Sequence, residues 1–184
     1  FCYFDTAYNY HKEQSEAAIR EAVVKRHPRD SFLLADKMPA FLVDKPDDFP
    51  RFFEEQLKRC AVSRFDFYLL HNLGSERYEK MKRLGAFEFM QSVKEQGMAK
   101  EIGFSFHDTA DTLDRILTEH PEIDFVQLQL NYLDWESGSI QSRLCYETAR
   151  KHGKPITVME PAKGGALARL EPEAEQILKE YDPG

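Results

Sequence analysis

Six short apolar runs recur along the chain at intervals of about thirty residues, and an amphipathic stretch with helical spacing separates each run from the next. The runs are FCYFD at 1–5, FLLADK at 32–37, FDFYLLH at 65–71, EIGFS at 101–105, DFVQLQL at 124–130 and PITVM at 155–159. This alternation predicts parallel strands joined by crossover helices. Because such crossovers are right-handed, the carboxyl ends of all the strands lie on one face, where we expect the chemistry.

The amphipathic stretches between the runs predict the helices. These occupy residues 15–25, a stretch from about 50 to 61, and residues 78–96, 109–119, 139–152 and 172–181. Ser15 is a good N-cap for the first helix, and Gly97 and Gly153 suit the ends of two others.

The length of 184 residues is enough for one core but is shorter than the roughly 250 residues typical of a closed eight-stranded barrel. We therefore expect an α/β fold, an incomplete (β/α)8 TIM barrel with about six parallel units, in which the first and the last units are missing. The chain starts inside a strand and without Met, and we interpret it as a fragment. No linker or low-complexity segment interrupts the series, so residues 1–184 are expected to form a single, partial barrel domain.

Composition excludes several classes of function. The net charge is −7 and the basic residues are scattered, so nucleic acid is not an expected partner. The apolar runs are strand-sized, far below a membrane span of about 18 residues, which favours a cytoplasmic protein. Three widely spaced cysteines are typical of reduced thiols rather than of a disulfide framework or a metal site. The sequence gives no indication of the oligomeric state.

Four polar side chains stand at or just beyond the ends of the first three runs: Asp5, Tyr10, Lys37 and His71. Each has an ordinary structural interpretation when taken alone, but their matching positions indicate a shared site. Lys37 would pair with Asp5 and favour the phenolate form of Tyr10, which makes Tyr10 a usable general acid. His71 would donate a hydrogen bond to the oxygen that Tyr10 protonates, and would fix its orientation.

The chain here resembles the aldo/keto reductases, a family whose barrel mouth carries an Asp, Tyr, Lys and His tetrad. The resemblance covers essentially the whole chain and rests on FDTAYNY at 4–10, LADKMP at 34–39, YLLHN at 68–72 and IGFSFHD at 102–108. It implies that Tyr10 is the proton donor, that Lys37 and Asp5 tune it, and that His71 orients a carbonyl substrate. It also implies hydride transfer from a nicotinamide cofactor, with NADP(H) favoured over NAD(H) and no metal in this chain.

The resemblance extends to residues expected to bind that cofactor. Ser105 and Gln127 match the pair that holds the nicotinamide carboxamide, although Gln129 lies two residues further along the same strand and is an alternative. The segment at 159–167, which includes Met159, Pro161 and Gly164, resembles the loop that wraps the pyrophosphate.

Two positions depart from the family pattern. Phe106 stands where Asn is common, so the amide that completes the carboxamide clamp is absent unless His107 substitutes for it. Met159 stands where many members have an aromatic ring. The Ser-Phe-His form resembles a subgroup with a C-terminal ferredoxin-like extension, so an iron-sulfur cluster is expected only in such an extension; this chain contains no Cys-x-x-Cys.

Two other functions remain open on the sequence. Lys37 could act as a Schiff-base nucleophile in an aldolase-like barrel, which would require a desolvated lysine. The protein could also be a regulatory or scaffold subunit that keeps a nicotinamide site with little turnover.

Overall fold

Six parallel strands form a single curled sheet in the computed structural model of the chain, which describes residues 2–169 and 171–181. The strands are β1 (Tyr3–Asp5), β2 (Leu33–Met38), β3 (Phe65–Leu73), β4 (Ala99–Phe106), β5 (Phe125–Gln129) and β6 (Ile156–Met159). Each pairs in parallel with its neighbour in the sequence, in the order β1-β2-β3-β4-β5-β6. The predicted fold, an incomplete (β/α)8 barrel with six units, is confirmed.

Seven α-helices alternate with these strands in the described part of the chain. They are α1 (Ser15–Ile19), α2 (Asp48–Cys60), α3 (Ser75–Arg83), α4 (Ala86–Glu95), α5 (Ala110–Glu119), α6 (Ser142–Lys151) and α7 (Pro172–Tyr181). Helix α1 continues as a π-helical turn, Arg20–Val24. No helix among the described residues is both long enough and apolar enough to cross a membrane.

The prediction of one helix over residues 78–96 is wrong, because α3 and α4 divide this stretch. Gly85 adopts a left-handed conformation with φ of 81°, and its N–H bonds to the carbonyl of Lys82 at 3.2 Å. That turn ends α3 and redirects the chain, so that α4 buries Phe87 and Met90 independently. Gly97 and Gly153, at φ of 72° and 68°, end α4 and α6 as predicted.

Helix starts differ from prediction by a few residues. Ser15 is the first residue of α1 rather than its cap, and its hydroxyl oxygen accepts a hydrogen bond from the Thr6 hydroxyl at 2.8 Å. Helix α2 begins at Asp48 and α6 at Ser142, rather than at 50 and 139. None of these shifts moves a strand end.

Successive residues of each strand alternate between the face covered by the helices and the interior of the curled sheet. In β4, Ile102, Phe104 and Phe106 join the main core between sheet and helices, whereas Gly103 and Ser105 face inward. A small inner cluster of Ala35, Leu69 and Phe125 fills the interior below the strand ends, with Tyr3 and Phe67 packed against it.

Gly103 is required by a close approach of β5. A Cβ built on Gly103 would lie 2.6 Å from the carbonyl oxygen of Phe125 and 2.8 Å from its ring. We expect Gly103→Ala to lower the free energy of unfolding by about 1 to 3 kcal/mol, because backbone must move to accommodate the methyl group. Urea denaturation of the complete protein measures the change. Gly138→Ala is the matched control, since nothing lies within 4 Å of its Cβ position; equal losses in both variants would contradict the argument.

Candidate active site

The ends of β1, β2 and β3 bring Asp5, Lys37 and His71 to one rim of the sheet. The Lys37 side chain is 1% exposed, and its Nζ donates to the Asp5 carboxylate and to the Thr6 carbonyl, the latter at 2.9 Å. A buried cation is stable only with such partners. The ion pair therefore fixes the Lys37 ammonium at the mouth of the barrel.

Tyr10 lies in the loop between β1 and α1, and its ring is packed against both Lys37 and His71. The rings of Tyr10 and His71 meet edge to face with centroids 5.5 Å apart, and Lys37 Nζ lies 4.9 Å from the centroid of the Tyr10 ring. The Tyr10 N–H donates to the Ala7 carbonyl at 3.1 Å, and the Tyr10 carbonyl accepts from the Ser15 N–H at 3.3 Å. The structure thus groups all four side chains that the sequence singled out.

His71 is held in its neutral form. Its pKa is lowered to about 3 by burial and by the charges of Lys37, His107 and Arg77. Its Nδ1 is buried and has no hydrogen-bond partner among the described residues. A neutral imidazole with one N–H is a donor that does not need to lose a proton at pH 7.

Ser105 and Gln127 lie on neighbouring strands, at paired positions of β4 and β5, and both are buried. The Ser105 hydroxyl oxygen accepts the Asn72 N–H at 2.7 Å, and the Gln127 side-chain amide donates to Asp5 Oδ2 at 3.0 Å. Gln129 instead donates to Asp134 at 2.8 Å. Of the two glutamines considered from the sequence, Gln127 is the one that contacts the tetrad.

Phe106 cannot reach this site, because it is 2% exposed and its ring packs edge to face against Phe104 in the outer core. His107, the next residue, follows the end of β4, where its N–H donates to the Leu73 carbonyl at 3.1 Å. Burial lowers its pKa. Phe106 therefore supplies no amide to this rim, and His107 is the polar residue next to it in the chain.

Met159 is the last residue of β6, and the loop that follows carries Pro161 and Gly164 on the same rim. Gly164 and Gly165 have φ of 63° and 94°. The loop is tied to the chain after β5, because Lys163 Nζ donates to Asp134 at 2.5 Å and the Asn131 amide donates to the Glu160 carbonyl at 3.1 Å.

Asp134 anchors that loop, and no local pattern in the sequence indicates it. Its carboxylate is 4% exposed and accepts from Lys163, Gln129 and Asn131. Lys163 is the main reason that the pKa of Asp134 is lowered. An isolated Asp in a loop gives no signal by itself, because its cationic partner, Lys163, lies 29 residues further along the chain.

A second buried acidic residue, Asp36, lies directly behind Lys37, and no local pattern indicates it either. Its Oδ1 accepts the Lys37 backbone N–H at 2.8 Å and the Gln56 amide at 2.9 Å. The side chain is fully buried, as is that of Glu16, which is bound by Arg59 at 3.1 Å. Burial, together with the charge of Glu16, raises the pKa of Asp36 well above its ordinary value. Asp36 is therefore expected to be protonated in the folded protein.

The raised pKa of Asp36 makes stability depend on pH. Unfolded Asp36 ionises near pH 4, whereas the folded residue keeps its proton. Its contribution to the free energy of unfolding is therefore complete below about pH 4 and is lost as the pH rises toward the folded pKa. The Asn side chain of Asp36→Asn cannot ionise, so the variant does not lose stability in this way. We expect the free energy of unfolding of Asp36→Asn, relative to the unmodified protein, to increase from pH 4 to pH 8 in urea titrations. A difference that stays constant over this range would contradict the assignment.

No cluster of three or more potential metal ligands occurs among residues 2–169 and 171–181. The arrangement at the rim instead combines an ion-paired ammonium, a phenol, a neutral imidazole and two amide- or hydroxyl-bearing side chains. These groups can donate protons and hydrogen bonds to an oxygen on a bound molecule.

Comparison with known proteins identifies a family whose sequence model matches the chain. The sequence model of the aldo/keto reductase family matches residues 1–181. No curated protein sequence matches the chain significantly.

Solved structures share the fold. The aldo-keto reductase from Klebsiella pneumoniae in complex with NADPH has a TM-score of 0.70 and 20% identity, covering 91% of this chain and 55% of that one. A structure from the same organism with NADP and acetate has a TM-score of 0.71 and 20% identity, and the match covers 91% of this chain and 56% of that one. The thermostable aldo-keto reductase Tm1743, in complex with the inhibitor epalrestat, has a TM-score of 0.75 and 24% identity, and the match covers 96% of this chain and 60% of that one. The chain thus spans 55% to 60% of the length of these proteins.

Proposed function

The chain belongs to the aldo/keto reductase family, and on this premise we propose that the protein reduces an aldehyde or ketone to an alcohol, or catalyses the reverse oxidation, with NADP(H). The observation that carries the proposal is the grouping of Asp5, Tyr10, Lys37 and His71 at one rim, with Ser105 and Gln127 beside them. The NADPH and NADP bound to the Klebsiella pneumoniae structures favour NADP(H) over NAD(H).

The side chains at this rim fit a nicotinamide carboxamide. The Ser105 hydroxyl uses its oxygen to accept from Asn72 and keeps its proton to donate. Gln127 uses its amide nitrogen to donate to Asp5 and keeps its oxygen to accept. One available donor and one available acceptor complement the carboxamide, which has an oxygen and an NH2 group.

The remaining cofactor contacts are proposed for the end of β6 and the loop after it. Met159 would lie against the nicotinamide ring, and Pro161 and Gly164 would line the pyrophosphate. The left-handed conformation of Gly164, with φ of 63°, lets the backbone approach a phosphate without a side chain in the way. When bound, the nicotinamide supplies or accepts the hydride.

Tyr10 is the proposed general acid, which protonates the substrate oxygen as it becomes an alkoxide. His71 would donate a hydrogen bond to the same oxygen, and its neutral state at pH 7 supports that role. The Lys37 ammonium, held by Asp5, places positive charge beside the phenol. This charge stabilises the phenolate that remains after the proton has moved.

The lysine-imine alternative is disfavoured by the contacts of Lys37. A Schiff-base nucleophile must present a neutral amine lone pair to the substrate. Lys37 instead donates to a carboxylate and to a backbone carbonyl, and both contacts hold it as an ammonium.

The test uses the full-length protein with NADPH and with NADH, first by fluorescence titration and then by absorbance after addition of a reactive aldehyde. We expect tighter binding of NADPH and an aldehyde-dependent loss of the reduced cofactor. Binding without turnover across a panel of aldehydes and ketones would overturn the reductase proposal in favour of a regulatory subunit. Borohydride trapping of an adduct on Lys37 would favour the imine reaction instead.

A further inference from the structure

A cavity of about 440 Å³ opens next to the tetrad, between the loops that follow β2, β3 and β4. Ala40 and Phe41 form one wall, the start of α3 forms another, and Asp108 closes the third. The volume suits a small organic molecule.

One wall of the cavity contacts the proposed reaction centre. The Phe41 ring, which lines it, meets the His71 ring with centroids 6.1 Å apart, and His71 in turn meets Tyr10. A small molecule whose carbonyl lies at Tyr10 and His71 would therefore extend past Phe41 into this space.

Arg77 is a half-buried cation in the wall of this cavity. Its Nη1 donates to the Asn72 carbonyl, which anchors the guanidinium, and no carboxylate among the described residues pairs with it. The charge of Arg77 also lowers the pKa of both His71 and His107, as expected for a cation close to these rings. A partly desolvated guanidinium with N–H groups to spare is suited to binding a carboxylate.

The other charged side chains of the wall either have partners already or repel an anion of higher charge. Lys80 pairs with Asp44 at 2.9 Å, and Asp108 accepts the backbone N–H groups of Ser75 and Thr109 at 2.6 and 2.7 Å. Glu76 also lines the cavity, so its two cations and two anions cancel formally. This balance favours a singly charged carboxylate over a doubly charged phosphate.

We propose that Arg77 binds the carboxylate of the substrate, so that the preferred substrate class is a short aldehyde or ketone carrying a terminal carboxylate, an oxo acid. This inference rests on the proposed reductase function. It adds a specificity-determining residue on α3, outside the tetrad.

The test compares kcat/KM for 4-oxobutanoate with that for its uncharged amide, 4-oxobutanamide, in the full-length protein. We expect the oxo acid to be preferred by at least about tenfold, and Arg77→Met to reduce that preference by roughly 10- to 100-fold, mainly through KM. Arg83→Met is the matched control, since Arg83 has the same charge, lies on the same helix and is exposed outside the cavity. It should keep the preference within about twofold.

Several results would overturn the inference. They are a lack of preference for the oxo acid, a preference for glyceraldehyde 3-phosphate over 4-oxobutanoate, and an equal loss of kcat/KM for both substrates in Arg77→Met. The last result would mean that Arg77 only supports the Asn72 loop.

Binding of 4-oxobutanoate is measured separately by calorimetry, with and without Arg77→Met, in the Tyr10→Phe variant. If binding depends on Arg77 while the protein with its original Tyr10 reduces no aldehyde, the carboxylate site is supported and the reductase proposal is overturned. If that protein turns over aldehydes without dependence on Arg77, the reductase proposal is supported and the carboxylate site is overturned.

Discussion

Replacing Tyr10 with Phe is expected to lower kcat by about 10²- to 10⁴-fold, the range that a positioned general acid contributes. The substitution removes only the hydroxyl, so the ring can keep its contacts with His71 and with the Lys37 ammonium. The loss therefore reports on proton donation rather than on packing. Stopped-flow measurement of NADPH consumption at saturating aldehyde gives kcat, and fluorescence titration gives the affinity for NADPH, which should change by less than about threefold.

The control for this experiment is Tyr146→Phe, a partly exposed tyrosine of α6 whose ring packs against Trp135 outside the tetrad. Turnover in that variant should stay near the original value. Normal turnover in Tyr10→Phe would exclude Tyr10 as the acid, and the proton would then have to come from another donor at the rim.

Replacing Asp5 with Asn is expected to lower the free energy of unfolding by about 3 kcal/mol, because it leaves the buried Lys37 ammonium without its counter-ion. Lys37 is 1% exposed and keeps only the Thr6 carbonyl as an acceptor of full strength. Asn also presents an NH2 group where Asp5 has two acceptor oxygens, one for Lys37 and one for Gln127. Urea denaturation measures the change, and reductase activity should fall as well.

Asp30→Asn is the matched control for the loss of an ion pair. Asp30 pairs with Arg64 at 2.7 Å, but its side chain is 87% exposed, so the expected loss is below about 1 kcal/mol. If the free energy of unfolding fell equally in the two variants, the ion pair of Asp5 with Lys37 would stabilise the protein no more than a surface ion pair does.

Much of the fold could be predicted because its signals are local. Each strand is a short apolar run, each helix has its own apolar face, and the parallel arrangement follows from their alternation. Once the strands are parallel, Asp5, Lys37 and His71 must lie at one rim, since all three stand at strand ends. Their catalytic roles remain predictions for the experiments above.

The contacts that the sequence did not predict depend on segments far apart in the chain. Nothing local marks Gly85 as a break between two helices rather than a residue within one, because a glycine is tolerated inside a helix at a cost of about 1 kcal/mol. The sequence indicates Asp36 only as part of a strand, because its burial follows from the packing of α1 and α2 over it. Arg77 lies one residue before the predicted helix over 78–96 and carries no local signal. Its relevance appears when three loops surround the cavity.

The hydrogen bond from Gln127 to Asp5 has a consequence for how the nascent polypeptide matures on the ribosome. It joins residues 122 positions apart, whereas each of the strands β2 to β6 pairs with the strand synthesised just before it. The strand pairings among β1, β2, β3 and β4, and the ion pair of Asp5 with Lys37, therefore involve no residue beyond Phe106. Asp5 acquires its second side-chain partner only after the fifth strand has left the exit tunnel. A translational arrest before Gln127 would leave a chain that contains all four tetrad residues but has an incompletely bonded carboxylate among them.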